Sequence, residues 1–376
     1  MCGIVGYVGR RAAAPIILEG LRRLEYRGYD SAGLAVIQSG AIQVRRDVGK
    51  LSALARRLEE QPVAGVIGIG HTRWATHGRP SEQNAHPHTD CSGEIVVIHN
   101  GIVENFLDLR ARLLAEGHRM RSETDSEVLA HLVESYMAQG ANLREAVRRM
   151  LHDIRGAHGI AVMSAREPDM LIAARLGNAG GVTVGLGEDE TFIASDMPAI
   201  LEHTRRMVFL ENRQMAVVRA GGADFWTMDG ERLQPQVHEI SWDPVAAAKG
   251  EYRHFMQKEI HEQARSITDT IRGRVDFEAG AVVLPDVRLD AERAGAIQKA
   301  ISVACGTSYY AGRYAAQLFE ELAGVRTTVE IASEYEFGAG RTPDRTLVVA
   351  VTQSGETADT LGAVRRANAA GARTFA

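Results

Sequence analysis

The chain has 376 residues, 45% of them hydrophobic, enough to bury two cores or three. Charged residues make up 24% and the formal net charge is -5, with no Lys/Arg block or basic stripe interleaved with aromatics, which argues against a nucleic-acid partner. No apolar run approaches the roughly 20 residues of a membrane span, and Cys2, Cys91 and Cys305 lie far apart without CxxC spacing, which argues against a disulfide framework or structural zinc.

The first stretch, Met1 to Gly9, is apolar but has no basic n-region and stops at Arg10-Arg11, so it reads as a strand and not as a signal peptide. A cytoplasmic protein of a reducing compartment is expected. Pro15 to Tyr26 follows as an amphipathic helix, with Ile17, Leu21 and Leu24 on one face and Gly28 available to stop it. Leu34–Ile37, Val66–Gly70 and Ile95–Ile98 are buried-strand candidates. Thr124-Asp125-Ser126-Glu127 reads as a capping box before one helix, and Asn142 with Glu145 opens another. From Gly159 to about Met228 the texture changes to short β-type runs separated by Gly, Asp and Asn. Strands, two helices and strands again predict an α+β sandwich of two stacked sheets with helices outside.

Residues 241–250 read as a linker, and Tyr252 to Ile271 as a helix leading out of the first domain. The rest repeats one rhythm. Strand Ala300–Ala304, turn Cys305–Ser308 and helix Tyr309–Leu322 are echoed by strand Thr346–Val351, turn Thr352–Thr357 and helix Ala358–Ala370. That is the pattern of a doubly wound parallel sheet. With so few strands its edge would stay uncovered, so the chain is expected to be part of a longer protein. The expected organisation is 2–240, a linker and connecting helix over 241–285, and a second domain over 286–376, incomplete at its C-terminus.

Four stretches carry candidate chemistry. Once Met1 is removed, Cys2 holds a thiol and a free α-amine on one Cα, and near neutral pH one can act as base for the other. The plain alternative is a small buried residue at a strand start. His71 to Gly78, placed on a loop after a strand, offers the Arg73 fork for a carboxylate, with Thr76 and His77 as polar contacts. His71, His77, His86, His88 and His99 cluster with Cys91, but their spacing matches no HExxH or paired-ligand zinc pattern, so no metal is expected. Asn100-Gly101 is a hairpin signal or a two-donor oxyanion hole. Asp125 is a helix first-turn carboxylate or the counter-charge of a ligand ammonium. A nucleophile with its own base, two oxyanion donors, a carboxylate fork and an acid for an amine together suit hydrolysis of an amino-acid side-chain amide.

Met1–Gly9, Glu25–Gly33, His71–Gly78, His99–Gly101 and Glu123–Asp125 resemble the N-terminal-nucleophile (class II) glutaminase domain. With Ala304–Ser308 and Thr352–Thr357 added, the whole chain resembles the glutamine:fructose-6-phosphate amidotransferase (glucosamine-6-phosphate synthase) family. The resemblance implies a four-layer αββα sandwich followed by a truncated α/β sugar-isomerase (SIS) domain. It implies Cys2 as nucleophile, Asn100 and Gly101 as oxyanion hole, Arg73 and Asp125 as contacts to the glutamine carboxylate and ammonium, and Thr76 and His77 lining the pocket. Arg27 would support the nucleophile loop and Trp74 gate the ammonia path. Thr307, Ser308, Thr352, Gln353, Ser354 and Thr357 would hold the phosphate of fructose 6-phosphate, in turns that are not GxGxxG and equally suit helix capping. The implied enzyme is an isomerizing transaminase without cofactor, converting L-glutamine and D-fructose 6-phosphate to L-glutamate and D-glucosamine 6-phosphate, and a homodimer through its isomerase half. The isomerase acid/base groups of the family would fall beyond Ala376. The chain departs from the family pattern at 178–180, His261, Ala264 and Glu336. A glutaminase serving another acceptor and a sugar-phosphate sensor are the alternatives.

Overall fold

The computed structural model describes residues 2–25, 28–74, 79–177, 180–240, 252, 254–276, 278–282, 294–338, 345–353, 355 and 357–376. The chain divides into two compact units, Met1–Ala248 and Lys249–Ala376.

In chain order the first unit runs β1 (Gly3–Val8), α1 (Ala13–Arg23), β2 (Ser31–Gln38), β3 (Ala41–Val48), α2 (Leu51–Glu60), β4 (Ile67–Arg73), β5 (His88–Thr89) and β6 (Ile95–Gly101). The helices α3 (Phe106–Ala115), α4 (Glu127–Ala138) and α5 (Leu143–Asp153) follow. Then come β7 (His158–Ser164), β8 (Leu171–Leu176), β9 (Thr183–Leu186), β10 (Thr191–Ala194) and β11 (Arg206–Phe209). The unit closes with β12 (Gln214–Arg219), β13 (Gly222–Thr227), β14 (Arg232–Leu233) and β15 (His238–Glu239). Two antiparallel sheets result, ordered β15-β11-β9-β10-β1-β4-β2-β3 and β14-β13-β12-β8-β7-β6-β5.

The central strands are apolar on both faces because both faces are covered. In β1, Ile4 and Val8 enter the layer between the sheets, while Val5 and Tyr7 pack against Ile17 and Leu21 of α1. In β6, Val96 and Ile98 join that same inner layer, and Ile95 and Val97 meet Val128, Leu129 and Leu132 of α4. Three cores stacked helix, sheet, sheet, helix are the αββα sandwich that the texture of the sequence predicts. Each fully buried Ile or Leu contributes about 1.5–3 kcal/mol to holding those layers.

Several local expectations are corrected. β4 and β6 extend three residues past the apolar runs that mark them, so His71, Thr72 and Arg73 lie in a strand and not on a loop. Asn100-Gly101 likewise makes no hairpin turn, for it pairs with His158 and Gly159 of β7. The capping box does not form around Thr124. Ser126 is the residue before α4, and the Glu127 carboxylate instead accepts from the N–H groups of Arg121 and Ser122 at 2.6 and 2.7 Å. The expected cap of α5 is present, with Asn142 Oδ1 accepting from Glu145 N at 2.9 Å.

The second unit holds α6 (Phe255–Ile271), a short hairpin of β16 (Val275–Asp276) and β17 (Ala281–Val282), then β18 (Lys299–Ala304), α7 (Thr307–Ala323) and β19 (Arg326–Ile331). It ends with α8 (Ala332–Gly338), β20 (Thr346–Val351), α9 (Ala358–Ala369) and β21 (Arg373–Phe375). The four-stranded sheet is parallel, in the order β19-β18-β20-β21. Gly312 of α7 lies against Ser302 on one face, and Tyr335, Ala363 and Ala367 of α8 and α9 pack on Ile301, Val303 and Val348 on the other. Helices on both faces make this the doubly wound sheet anticipated from the repeat.

Candidate active site

Period-two alternation assembles the site. The inner face that carries Ile67 and Ile69 along β4 carries His71 and Arg73 at its end, and the face of Val96 and Ile98 along β6 carries Asn100. Gly3 pairs with Thr72, which brings Cys2 to the level of Arg73. A nucleophile candidate, a guanidinium and a carboxamide therefore meet where the two sheets open, between layers that are otherwise apolar.

Cys2 is half-buried, and its Sγ accepts from the Trp74 backbone N–H at 3.1 Å, with the Trp74 carbonyl at 3.6 Å. Burial pushes the thiol up, while the Trp74 N–H and the Arg73 charge pull it back. The Trp74 ring is exposed and stands edge-on to Tyr29 at 5.4 Å between centroids. Asn100 donates from Nδ2 to the Cys2 carbonyl oxygen at 3.0 Å, and its Oδ1 lies 3.1 Å from His71 Nε2. Since His71 Nε2 also faces the His99 carbonyl at 3.2 Å, it sits between two acceptors and must carry the proton. Burial lowers His71 to about 3, so the ring is neutral and fixes which way the Asn100 amide points.

Gly101 has φ of +135°, and a Cβ there would lie 2.1 Å from the Ala157 carbonyl oxygen. Only glycine fits that conformation and that approach. Gly28 is similarly confined, since a Cβ would come 2.8 Å from the Arg73 carbonyl oxygen. Arg73 is buried, which lowers its pKa against the opposing attraction of Cys2, Asp125 and Asp30. Asp125 is buried too, with Oδ2 accepting from Val103 N at 2.7 Å just after β6.

The outer face of β6 supplies a support that sequence reasoning missed. His158 Nε2 donates to the Arg155 carbonyl at 3.1 Å, so its Nδ1 accepts from His99 Nε2 at 2.9 Å. His99 Nδ1 then accepts from the Ser126 hydroxyl at 2.8 Å. Burial lowers both histidines and keeps them neutral, so the chain of donors has one direction. It ties the strand bearing Asn100 to the segment bearing Asp125. The contacts span 27 and 59 residues, so no local spacing announces them. Of the histidines weighed as a metal cluster, His86 lies tilted against His71 and edge-on to His88, at 4.2 and 4.5 Å between ring centroids, and burial lowers all three.

Cys2, Arg73, Trp74, Asn100, Gly101 and Asp125 are thus gathered at one end of the first unit, while Arg27, Thr76 and His77 lie outside the described residues. In the second unit Thr307 and Ser308 open α7 and Thr357 precedes α9. Thr352 Oγ1 accepts from Gly355 N at 3.1 Å, and Gln353 is exposed. Ser354 lies outside the described residues. Ala304 pairs with Val351, so both turns leave the same end of adjacent strands, and the strand order reverses between those two strands. Open parallel sheets bind ligands at such a switch point. No helix among the described residues is long and apolar enough to cross a membrane.

Comparison with known proteins gives these units a family. Residues 71–202 match the model of the glutamine amidotransferase domain, and residues 297–376 that of the SIS domain. The chain is 49% identical over 376 residues to the glutamine–fructose-6-phosphate aminotransferase [isomerizing] of Symbiobacterium thermophilum, covering 100% of this chain and 61% of that one. It is 46% identical over 369 residues to the protein of the same name from Methanothermobacter thermautotrophicus, covering 98% of this chain and 60% of that one. The solved glutamine phosphoribosylpyrophosphate amidotransferase from B. subtilis has a TM-score of 0.55 at 18% identity, over 93% of this chain and 75% of that one, a likeness of fold alone. The chain spans about three fifths of the length of these curated relatives, and it combines a glutamine amidotransferase domain with a SIS domain.

Proposed function

We propose that the first unit hydrolyses L-glutamine through a Cys2 thioester and supplies ammonia for the conversion of D-fructose 6-phosphate to D-glucosamine 6-phosphate. The observation that carries this reading is the grip on Cys2: the Trp74 N–H on its sulfur at 3.1 Å and the Asn100 amide on its carbonyl at 3.0 Å. With Met1 removed, the α-amine of Cys2 takes the thiol proton and the thiolate attacks the γ-carboxamide carbon. A carboxamide has two N–H groups, and the one that Asn100 does not use on Cys2 meets the developing oxyanion together with the Gly101 N–H. The amine returns the proton to the leaving ammonia, and water then cleaves the thioester to glutamate.

Arg73 binds the glutamine carboxylate and Asp125 its ammonium, with Thr76 and His77 lining the pocket, Arg27 supporting the nucleophile loop and Trp74 gating ammonia. Thr307, Ser308, Thr352, Gln353, Ser354 and Thr357 take the sugar phosphate at the switch point of the second unit. The glutaminase domain is assigned to 2–240, the linker and connecting helix to 241–285 and the SIS domain to 286–376. A cytoplasmic homodimer joined through the isomerase half completes the reading. The test is Cys2→Ala, which is expected to abolish glutamate release while keeping the thermal unfolding profile. Undiminished release would sink the assignment.

A further inference from the structure

Four metal-ligating side chains converge away from Cys2, on the α4 helix. Cys91 comes from the turn between β5 and β6, His118 from the segment after α3, and His131 and Glu134 from one face of α4, three residues apart. One donor atom from each lies within 4.8 Å of all the others. Cys91 Sγ is 3.8 Å from His118 Nδ1 and 3.7 Å from His131 Nδ1, and Glu134 Oε2 is 2.8 and 3.0 Å from those same nitrogens.

We propose that Cys91, His118, His131 and Glu134 form a structural site for a divalent zinc ion, which pins the segment before α4 to the β5–β6 turn. Zinc bonds of about 2.3 Å to sulfur and about 2.0–2.2 Å to nitrogen or oxygen give tetrahedral edges of about 3.6 Å and about 3.3 Å. The sulfur–nitrogen edges already match, and the nitrogen–oxygen edges need to open by about 0.3–0.5 Å. Thiolate, imidazole and carboxylate together suit zinc better than magnesium or calcium.

Hydrogen bonding alone satisfies both nitrogens of His131 only when the ring is doubly protonated between Glu134 and Glu127. If a neutral His131 donates from Nδ1 to Glu134, its buried Nε2 is left bare, with no hydrogen-bond partner and with the Glu127 carboxylate 3.7 Å away. Coordination through Nδ1 puts the proton on Nε2, facing that carboxylate, in the carboxylate–histidine–metal arrangement that orients such ligands. The Arg119 N–H, 3.3 Å from Cys91 Sγ, supplies the donor a metal-bound thiolate needs. All four positions are filled by the protein, so the ion is structural and leaves no position for substrate.

Cys91 was weighed in the sequence beside the wrong histidines. Its partners His118 and His131 lie 27 and 40 residues on, at intervals that match no zinc pattern. The inference does not rest on the glutamine reading.

The test is metal analysis and Co2+ titration of this chain after chelation. About one equivalent of zinc is expected to be retained after loading and dialysis, and Co2+ is expected to give a thiolate charge-transfer band. That band should vanish in Cys91→Ser and persist in Cys2→Ser and Cys305→Ser. Should Cys91→Ser fail to fold, His118→Asn serves instead, keeping the thiolate and losing at least about tenfold in zinc affinity. Retention of less than about a tenth of an equivalent, Co2+ binding without the thiolate band, or unchanged affinity in His118→Asn would overturn the proposal.

Discussion

The Asn100 carboxamide bonds the Cys2 backbone on one side and the neutral His71 ring on the other, at 3.0 and 3.1 Å. One side chain thereby ties the inner faces of both sheets together at the level of the proposed nucleophile. Because His71 carries its proton on Nε2, the amide cannot flip without setting two donors against each other, so Nδ2 stays on the Cys2 side.

Removing that amide should affect the transition state more than substrate binding. Asn100→Ala is expected to lower kcat for glutamate release about 10²–10³-fold with little change in KM, as loss of one oxyanion donor does elsewhere. His71→Phe, which frees the amide to turn, should give a smaller loss in the same direction. Steady-state kinetics on both variants checks this. A rise in KM alone for Asn100→Ala would move the residue from oxyanion stabilisation to ground-state binding.

Gly101→Ala forces a side chain into a positive-φ position with a backbone carbonyl 2.1 Å from the new Cβ. The backbone conformation alone costs about 1–3 kcal/mol, and displacement of residue 157 adds to it. A lowered Tm and loss of glutamate release are expected together, because relief of the clash moves the Gly101 N–H. A variant as stable as the parent would show that β6 ends differently.

Much of this was legible in the sequence. Ile4, Ile69 and Ile98 lie in apolar runs that mark central strands, and Cys2, Arg73, Asn100 and Asp125 stand out by their chemistry. The strand ends were hidden, because His71 to Arg73 and His99 to Gly101 are polar and resemble loops. They remain strands because their ladder partners continue beside them, Thr72 on Gly3 and Gly101 on His158. The edge strand β19 was also invisible, since its Arg-Thr-Thr start is half exposed and lacks an apolar run. The His99–His158 link depends on strand register, which no local pattern encodes.

The buried histidines predict how stability depends on pH. His71 is lowered to about 3 by burial, and His86, His99 and His158 are lowered by the same cause. Each binds fewer protons folded than unfolded, so its contribution is fully present above pH 6.5 and is lost as pH falls toward its folded value. His71 alone should cost about 2 kcal/mol by pH 5. Glu145, pushed down to about 2 chiefly by its hydrogen bond with Arg148, loses its contribution only below pH 4.5. A fall in Tm that sets in between pH 6.5 and 5 is therefore expected from the histidines. A flat Tm over that range would show that those rings are protonated in the folded protein.

In the second unit the turn after β20 provides the sharpest test of the phosphate reading. Thr352 Oγ1 accepts from Gly355 N at 3.1 Å, a bond that closes the turn just after the strand end at Val351. Gly355 has φ of +66°, the conformation such a turn needs. A phosphate at the switch point would meet N–H groups from this turn and hydroxyls from Thr307 and Ser308 at the start of α7. Thr352→Ala removes the hydroxyl and loosens the turn at once. Hydrogen bonds to a charged group contribute about 1.5–3 kcal/mol each, so fructose 6-phosphate should bind about 10–100-fold more weakly. Calorimetric titration of this chain measures it, with Cys2→Ala as the control that should bind like the parent. Equal affinity in Thr352→Ala and the parent would place the sugar phosphate elsewhere than at the β18–β20 crevice.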